Sequence, residues 1–297
     1  MPVELSVVVP AVNTLLDLVT CLDALEKQRA DVTMEVLVIV RNGAEVLEAI
    51  PRLFPDVRLI PVSVETTIPQ MRATAFHAAT GDAVAVIEDH VIVPPGWARQ
   101  MLGTLAEGKQ VVAGSVENAA TEKLIDWAAF LCEYSHLIPP IAAGSVPWLT
   151  GNNVVYRRAL LDAHREVVDA GRWENYLHDT LKAEGVELFC RPEIVVGHKK
   201  HYTFGEYFTQ RYFYARSYAG ARVAGASFPR RMLFGLTAFA LPPLLLYRTM
   251  TRILAKKRHV GTLFKSIPLI SAFVVSWGFG EVVGYWFGAG DSLQKVC

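Results

Sequence analysis

Three apolar runs almost free of polar residues constrain this chain most: Val7-Val8-Val9, Met34–Val40 and Ala83–Ile87. A strand with one wet face alternates polar and apolar residues, whereas runs without alternation belong to strands covered on both faces. Leu59–Val62 supplies a fourth short strand, and Pro10 is expected to end the first. Between them lie helical patterns. Leu15, Leu18, Val19, Leu22 and Leu25 make one apolar face, with Asn13 or Thr14 as its cap. Gln70–Thr80 reads as a second helix, stopped by Gly81. Strand and helix alternating in this way predict an α/β fold with a mostly parallel sheet covered on both sides. Ligands of such sheets bind beyond the carboxyl ends of the strands. Pro10, Asn42 and Glu88–His90 all fall at those ends, so one crevice should collect them.

The run Ala83–Ile87 stops at three residues of metal-ligand type, Glu88, Asp89 and His90, followed by Val91-Ile92-Val93 and Pro94-Pro95-Gly96. Hard cations that carry diphosphates take oxygen ligands, and the end of a buried strand holds such ligands rigidly. The competing reading is a solvated junction between strand and turn. The chain has no G-x-G-x-x-G after its first strand and no Gly-rich phosphate loop, which argues against dehydrogenase and kinase chemistry.

Further motifs follow in a fixed order. Val7-Val8-Val9-Pro10 is followed by Arg41-Asn42-Gly43, then by Arg72 ahead of a helix running to Gly81-Asp82. Next come Glu88-Asp89-His90, Pro95-Gly96-Trp97, the small-residue loop Thr150-Gly151-Asn152-Asn153, and Trp173-Glu174-Asn175. In this order, over roughly residues 4–222, the chain resembles the inverting family 2 glycosyltransferases of GT-A fold. The resemblance implies a Rossmann-like GT-A domain over residues 1–225, with a membrane-associated region over 226–297. It implies transfer of a sugar from a nucleotide-diphosphate donor to an acceptor hydroxyl or phosphate, on lipid or glycan. Such transfer needs a cation against the leaving diphosphate, Mn²⁺ or Mg²⁺, and a base for the attacking hydroxyl.

The resemblance also assigns roles. Pro10, Ala11, Asn42, Arg72, Glu88 and Asp89 fall on the donor side, and Asp89, His90 and His198 are the expected metal ligands, with His201 second to His198. His90 stands where the family usually has a carboxylate; imidazole suits transition metals better than Mg²⁺, so Mn²⁺ should be well tolerated. Glu174 is the expected base and Asp179 the alternative, because Asn175 occupies the position where the family often has its second acid. A helix's first turn favours acidic residues for electrostatic reasons alone, which is a second account of Glu174. Asn152, Asn153, Trp173, Gln210 and Arg211 fall on the acceptor and diphosphate side; Arg211 and Arg216 either bind phosphate or snorkel beside a membrane. Arg41 stands where the family has an Asp that reads uracil. It cannot accept a hydrogen bond, so the base is read by backbone or the donor is not a uridine nucleotide.

The remaining features concern the membrane. Hydrophobic residues make up 52% of the 297, and mean hydropathy is +0.28. Net charge is zero, yet Arg230–Lys265 holds eight Lys or Arg and no Asp or Glu, a pattern suited to anionic lipid headgroups and not to nucleic acid. Ile267–Phe287 is apolar except for Glu281 and spans about 30 Å as a helix, enough to cross a bilayer. Residues 232–247 are shorter and contain Pro242-Pro243, which predicts an interfacial, re-entrant or kinked segment. The N-terminus lacks a basic leader, which places the catalytic domain on the cytoplasmic side of the cytoplasmic membrane. Cys21, Cys132, Cys190 and Cys297 lack metal spacing and read as reduced thiols. Leu124–Tyr134 reads as core or as an acceptor-binding helix, Pro139–Pro147 as a lid, and Trp148 as core or a sugar platform.

Overall fold

The computed structural model describes residues 2–41 and 43–296. In chain order the first elements are β1 (Leu5–Ala11), α1 (Leu15–Glu26), β2 (Met34–Val40), α2 (Ala44–Leu53), β3 (Val57–Pro61), α3 (Ile68–Ala78), β4 (Ala83–Ile87), β5 (Val91–Ile92), α4 (Trp97–Ala106) and β6 (Val111–Asn118). There follow α5 (Leu124–Tyr134), β7 (Gly144–Ser145), β8 (Asn153–Arg157), α6 (Arg158–Ala163), α7 (Arg165–Asp169), α8 (Glu174–Ala183) and β9 (Leu188–His198). The chain finishes with α9 (Phe204–Arg222), α10 (Phe228–Ala238), α11 (Leu241–Lys256) and α12 (Val260–Phe287). These elements divide into two compact units. One comprises the chain up to Ala119 with Pro139–Lys199; the other comprises Ala120–Ile138 with the chain from Lys200 onward.

The first unit is built on one sheet of order β3-β2-β1-β4-β8-β6-β9-β5, with β7 paired to β9. β3, β2, β1 and β4 are all parallel, and the side chains of β1, β2 and β4 are almost wholly buried, as the unalternating apolar runs require, while β3 is half-exposed. β8 then runs antiparallel to both β4 and β6, while β6 and β9 are parallel. The reversal at β8 matters for the site. It places the start of β8 beside the end of β4, with Ile87 opposite Asn153.

Several local readings are corrected. Pro10 does not end β1: the strand continues to Ala11, and Pro10 lies opposite Ile39 in the parallel ladder. Thr14, and not Asn13, caps α1, its hydroxyl accepting from Asp17 N while Asp17 reaches back. α3 starts at Ile68 under a Thr67–Gln70 capping box and stops at Ala78, before Gly81. Gly81 serves a different need, since a Cβ there would sit 2.7 Å from Ser6 N on β1. Gly185, by contrast, does follow the end of α8, at φ +83°.

The second unit is helical. α12 packs along α9, and a Cβ at Gly280 or Gly284 would strike the Tyr212 or Arg216 carbonyl of α9. Small residues spaced by four thus form a seam that lets two backbones approach closely. Ser276 Oγ ties the seam by donating to Phe208 O at 2.6 Å, and within α12 Trp277 Nε1 donates to Glu281 Oε1 at 2.8 Å. Glu281, the one acid in the apolar run, lies 3.8 Å from Arg222 of α9. α12 is long and apolar enough to cross a membrane, and half of its most apolar stretch is buried within the protein. α10 and α11 are bent by 50° at their junction. Pro242 and Pro243 sit in the first turn of α11, where a missing N–H costs nothing, so they start a new helix and do not kink a continuous one.

Candidate active site

The carboxyl end of β4 delivers Glu88, Asp89 and His90 to the edge of the sheet, and β9 ends alongside with His198 opposite Val91. Lys199 N donates to His90 O at 3.0 Å, closing the turn onto β9. Asp89 is 1% exposed. Its Oδ2 accepts from Val12 N at 2.7 Å and Asn13 N at 2.8 Å, and its Oδ1 accepts from Asn13 Nδ2 at 2.6 Å. His90 Nδ1 lies 2.9 Å from the same Oδ1. Burial opposes ionisation of Asp89, but the hydrogen bonds from His90 and Asn13 outweigh it and hold its pKa below the usual carboxylate range. An ionised Asp89 only accepts, so His90 Nδ1 carries the proton. Asn13 Nδ2, 3.1 Å from His90 Nδ1, then donates to Asp89 and not to the ring.

In the neutral ring this tautomer leaves a lone pair on His90 Nε2, which lies 2.9 Å from His198 Nε2. Glu88 Oε2 is 3.4 Å from His90 Nε2 and 3.7 Å from His198 Nε2. Three ligand atoms therefore converge, one each from Glu88, His90 and His198. Two nitrogens bound to one cation at about 2.1 Å and near right angles stand ~3 Å apart. The 2.9 Å separation fits that test, and without a cation it requires one proton between the nitrogens.

At the start of β8 a second arrangement forms. Arg72, on α3, donates from Nη1 to Glu174 Oε2 at 2.7 Å and from Nη2 to Gly151 O at 3.1 Å. Glu174 Oε1 accepts from Gly151 N at 3.1 Å. A Cβ on Gly151 would sit 2.5 Å from the Arg72 guanidinium and displace it from this arrangement. Glu174 opens α8 with Trp173 as its cap residue. Arg72, Phe76, Tyr156, Trp173, Glu174 and Leu177 line a cavity beneath this ion pair. On its wall Tyr156 OH lies 2.8 Å from His178 Nε2. Burial pushes His178 down to about 4 and Tyr156 well up, so the phenol donates to a neutral imidazole.

The other residues singled out by sequence fall as follows. Pro10 and Ala11 close β1, next to the Val12–Asn13 turn that holds Asp89; Asn42 lies outside the described residues. Asn152 and Asn153 are fully buried. Asn153 bonds to Trp97 Nε1, Ser115 O and Ile194 O, each at 3.0 Å, so it ties strands together. Asn152 Oδ1 accepts from Thr150, while its buried Nδ2 has no partner among the described residues. Asp179 is paired with Lys182 and its side chain is 68% exposed; Glu174, not Asp179, meets Arg72. Arg41 is buried, with Nη1 3.4 Å from Thr66 O. Trp148 is 46% exposed and is not core. Pro139–Pro147 contributes β7, antiparallel to β9.

In the second unit His201 Nδ1 is engaged by Asp126 Oδ2 at 2.7 Å, and among the described residues the metal-type cluster does not include it. Arg211 is buried against the Trp277 ring at 4.0 Å, and Gln210 donates to Lys295 O at 3.4 Å. Sequence reading missed Asn13 as the clamp on Asp89. The only signal was an Asn just past the first strand, and helix capping explained it equally well.

Residues 6–165 match the family described as Glycosyl transferase family 2, so the chain belongs to that family. Its architecture is the GT-A fold, and it is a glycosyltransferase by family. No curated protein matches it by sequence. Among solved structures it is similar to the mannosyltransferase PcManGT from Pyrobaculum calidifontis, in complex with GDP-Man and Mn²⁺. That similarity is at 18% identity and TM-score 0.56, covering 95% of this chain and 87% of the other. It is also similar to S. aureus TarS 1–349, at 16% identity and TM-score 0.51, covering 94% and 90%. At these identities the likeness is one of fold.

Proposed function

We propose that this protein is a membrane-bound inverting glycosyltransferase, moving a sugar from a nucleotide-diphosphate donor to an acceptor hydroxyl or phosphate on a lipid or glycan. The observation that carries the reading is the convergence of Glu88, His90 and His198 at the strand ends where GT-A enzymes release a diphosphate. A divalent ion there, Mn²⁺ or Mg²⁺, supplies charge against the departing diphosphate; the PcManGT structure contains Mn²⁺ with GDP-Man. Pro10, Ala11, Asn42 and Arg72 are proposed on the donor side, with Asn152 Nδ2 as a donor group still seeking an acceptor.

Glu174 is the proposed base. Its carboxylate has about four lone-pair positions and spends two on Arg72 and Gly151. With 20% of its side chain exposed, it can take a proton from an incoming hydroxyl. Pairing with Arg72 fixes its position. Trp173 is proposed to support the acceptor, and Gln210 and Arg211 to serve the acceptor and diphosphate. α12 and the acid-free basic stretch Arg230–Lys265 support a membrane location on anionic lipid, with the catalytic domain in the cytoplasm.

A second reading, a catalytically degenerate member that binds nucleotide or a partner, is favoured by the engagement of both Glu174 oxygens and by Asn175. Screening the purified chain against a nucleotide-sugar panel with Mn²⁺ and reading released nucleotide separates the two. Release that depends on Glu174 supports transfer; nucleotide binding without release supports the degenerate reading.

A further inference from the structure

We propose, resting on the membrane-bound reading and narrowing it, that α12 does not cross the bilayer. Instead α10, α11 and α12 lie together along one leaflet rich in anionic lipid, and the chain is monotopic.

Length and apolarity qualify α12 as a span, but its surroundings do not suit one. α9 runs parallel to its C-terminal half in matched steps of four residues: Phe208 O meets Ser276, Tyr212 O approaches Gly280, and Arg216 O approaches Gly284. Over that length α9 carries Gln210, Arg211, Arg216, Ser217 and Arg222. Any depth reached by this half of α12 is reached by those arginines too, and charge within hydrocarbon is costly. α5 also packs against α12, its Trp127 ring 4.7 Å from that of His259, the residue that precedes α12. The large or rigid apolar residues that α12 leaves exposed before Glu281 make one narrow stripe. At about 100° per residue, Phe264, Pro268, Val275 and Phe279 fall within about 60° of one another.

α10, α11 and their junction add apolar side chains that face away from the protein: Leu233, Leu236, Phe239 and Tyr247 are 58% to 65% exposed. Arg230, Arg248, Arg252, Lys257 and Lys265 are exposed on the same three helices and their turns. The one acid of α10–α12, Glu281, is buried near Arg222. Exposed apolar groups edged by cations and free of acids match a leaflet with anionic headgroups over an apolar acyl boundary. Basic residues also mark both ends of α12. Arg231 donates to Tyr285 O and Trp286 O at its C-terminal end, while Lys257 and Arg258 precede its start. In a crossing helix positive charge gathers on the cytoplasmic side. On a helix lying along the surface, both ends meet the same headgroups.

The test places a single reporter at each end of α12. Gly261→Cys and Phe287→Cys, both at exposed positions, are made separately in the full chain carrying Cys297→Ser, with that parent as background. In sealed vesicles with the cytoplasmic face outward, a membrane-impermeant maleimide is expected to label both ends equally, before and after permeabilisation. Labelling of one end only after permeabilisation means that α12 crosses; it overturns the inference and leaves the membrane-bound transferase reading intact. Flotation of the purified chain with preformed vesicles reads the lipid. Binding should be at least ~10-fold stronger with phosphatidylglycerol present than with phosphatidylcholine alone, and Arg248→Glu with Arg252→Glu should remove most of that difference. Leu236→Ser with Phe239→Ser should weaken binding to both kinds of vesicle, whereas Leu16→Ser, on exposed α1, should not. Equal binding to both kinds of vesicle overturns the anionic leaflet. A detergent-free homodimer that does not bind vesicles would place a second copy on this face and overturn the inference. Same-side labelling without nucleotide release from any donor would uphold it and undo the transferase reading.

Discussion

The two polar arrangements at the strand ends differ in what they lack. Arg72, Glu174 and Gly151 form a closed set: each charge has its opposite, and the backbone carbonyl and N–H of one glycine complete it. Glu88, His90 and His198 form an open set, in which two ring nitrogens face each other beside a carboxylate oxygen. A closed set holds the protein in shape and presents a fixed group to a substrate. An open set gains most from something brought from outside. On the proposed reading the second arrangement binds the cation and the first positions a substrate, although both are built from residues of ordinary catalytic type.

The contrast breaks most visibly through turnover. His198→Ala should lower Mn²⁺-dependent nucleotide release by at least ~100-fold, because the charge opposing the leaving diphosphate is lost; near-normal release would remove the open set from the chemistry. Glu174→Gln should lower release by about 100-fold or more while thermal melting stays close to wild type, since Gln keeps an acceptor for Gly151 N. If that variant keeps full turnover, Glu174 belongs only to the closed set. Arg72→Ala strands a half-buried carboxylate, and urea unfolding should then show a loss of about 2–3 kcal/mol. A loss below a few tenths would mean the ion pair contributes little.

A smaller effect concerns the cavity wall. The folded His178 pKa is depressed to about 4 from the ordinary 6.5, so the unfolded chain binds the proton more readily. Stability from this group is therefore full above pH about 6.5 and declines as pH falls toward 4. His136, pushed down to about 3 by burial and by neighbouring Arg252 and Lys256, titrates in the same direction. The informative quantity is thus the difference between wild type and His178→Phe. The variant should be less stable at pH 7, having orphaned Tyr156 OH, yet show a flatter decline between pH 6.5 and 4. Parallel curves would contradict the assignment.

Much of the sheet was legible because burial on both faces leaves an unalternating signature: β2 and β4 have the bounds their apolar runs predict. So does α5, Leu124–Tyr134. Element ends were less legible where local rules compete. Pro10 was read as a stop but continues the strand, and Gly81 was read as a helix stop but serves close packing on β1. His90 and His198 were expected with Asp89 as metal ligands, and Glu88 on the donor side; the structure brings Glu88, His90 and His198 together. What sequence did not reveal is that Val12 and Asn13, more than 70 positions away, donate to the oxygens of Asp89. Partners that far apart leave no periodic trace.

The central claim is most directly tested by measuring nucleoside-diphosphate affinity by calorimetry with and without Mn²⁺, in wild type and in His198→Ala. The account predicts that Mn²⁺ tightens binding at least ~10-fold in wild type and has little effect in the variant. Equal affinity with and without Mn²⁺ in wild type would contradict it.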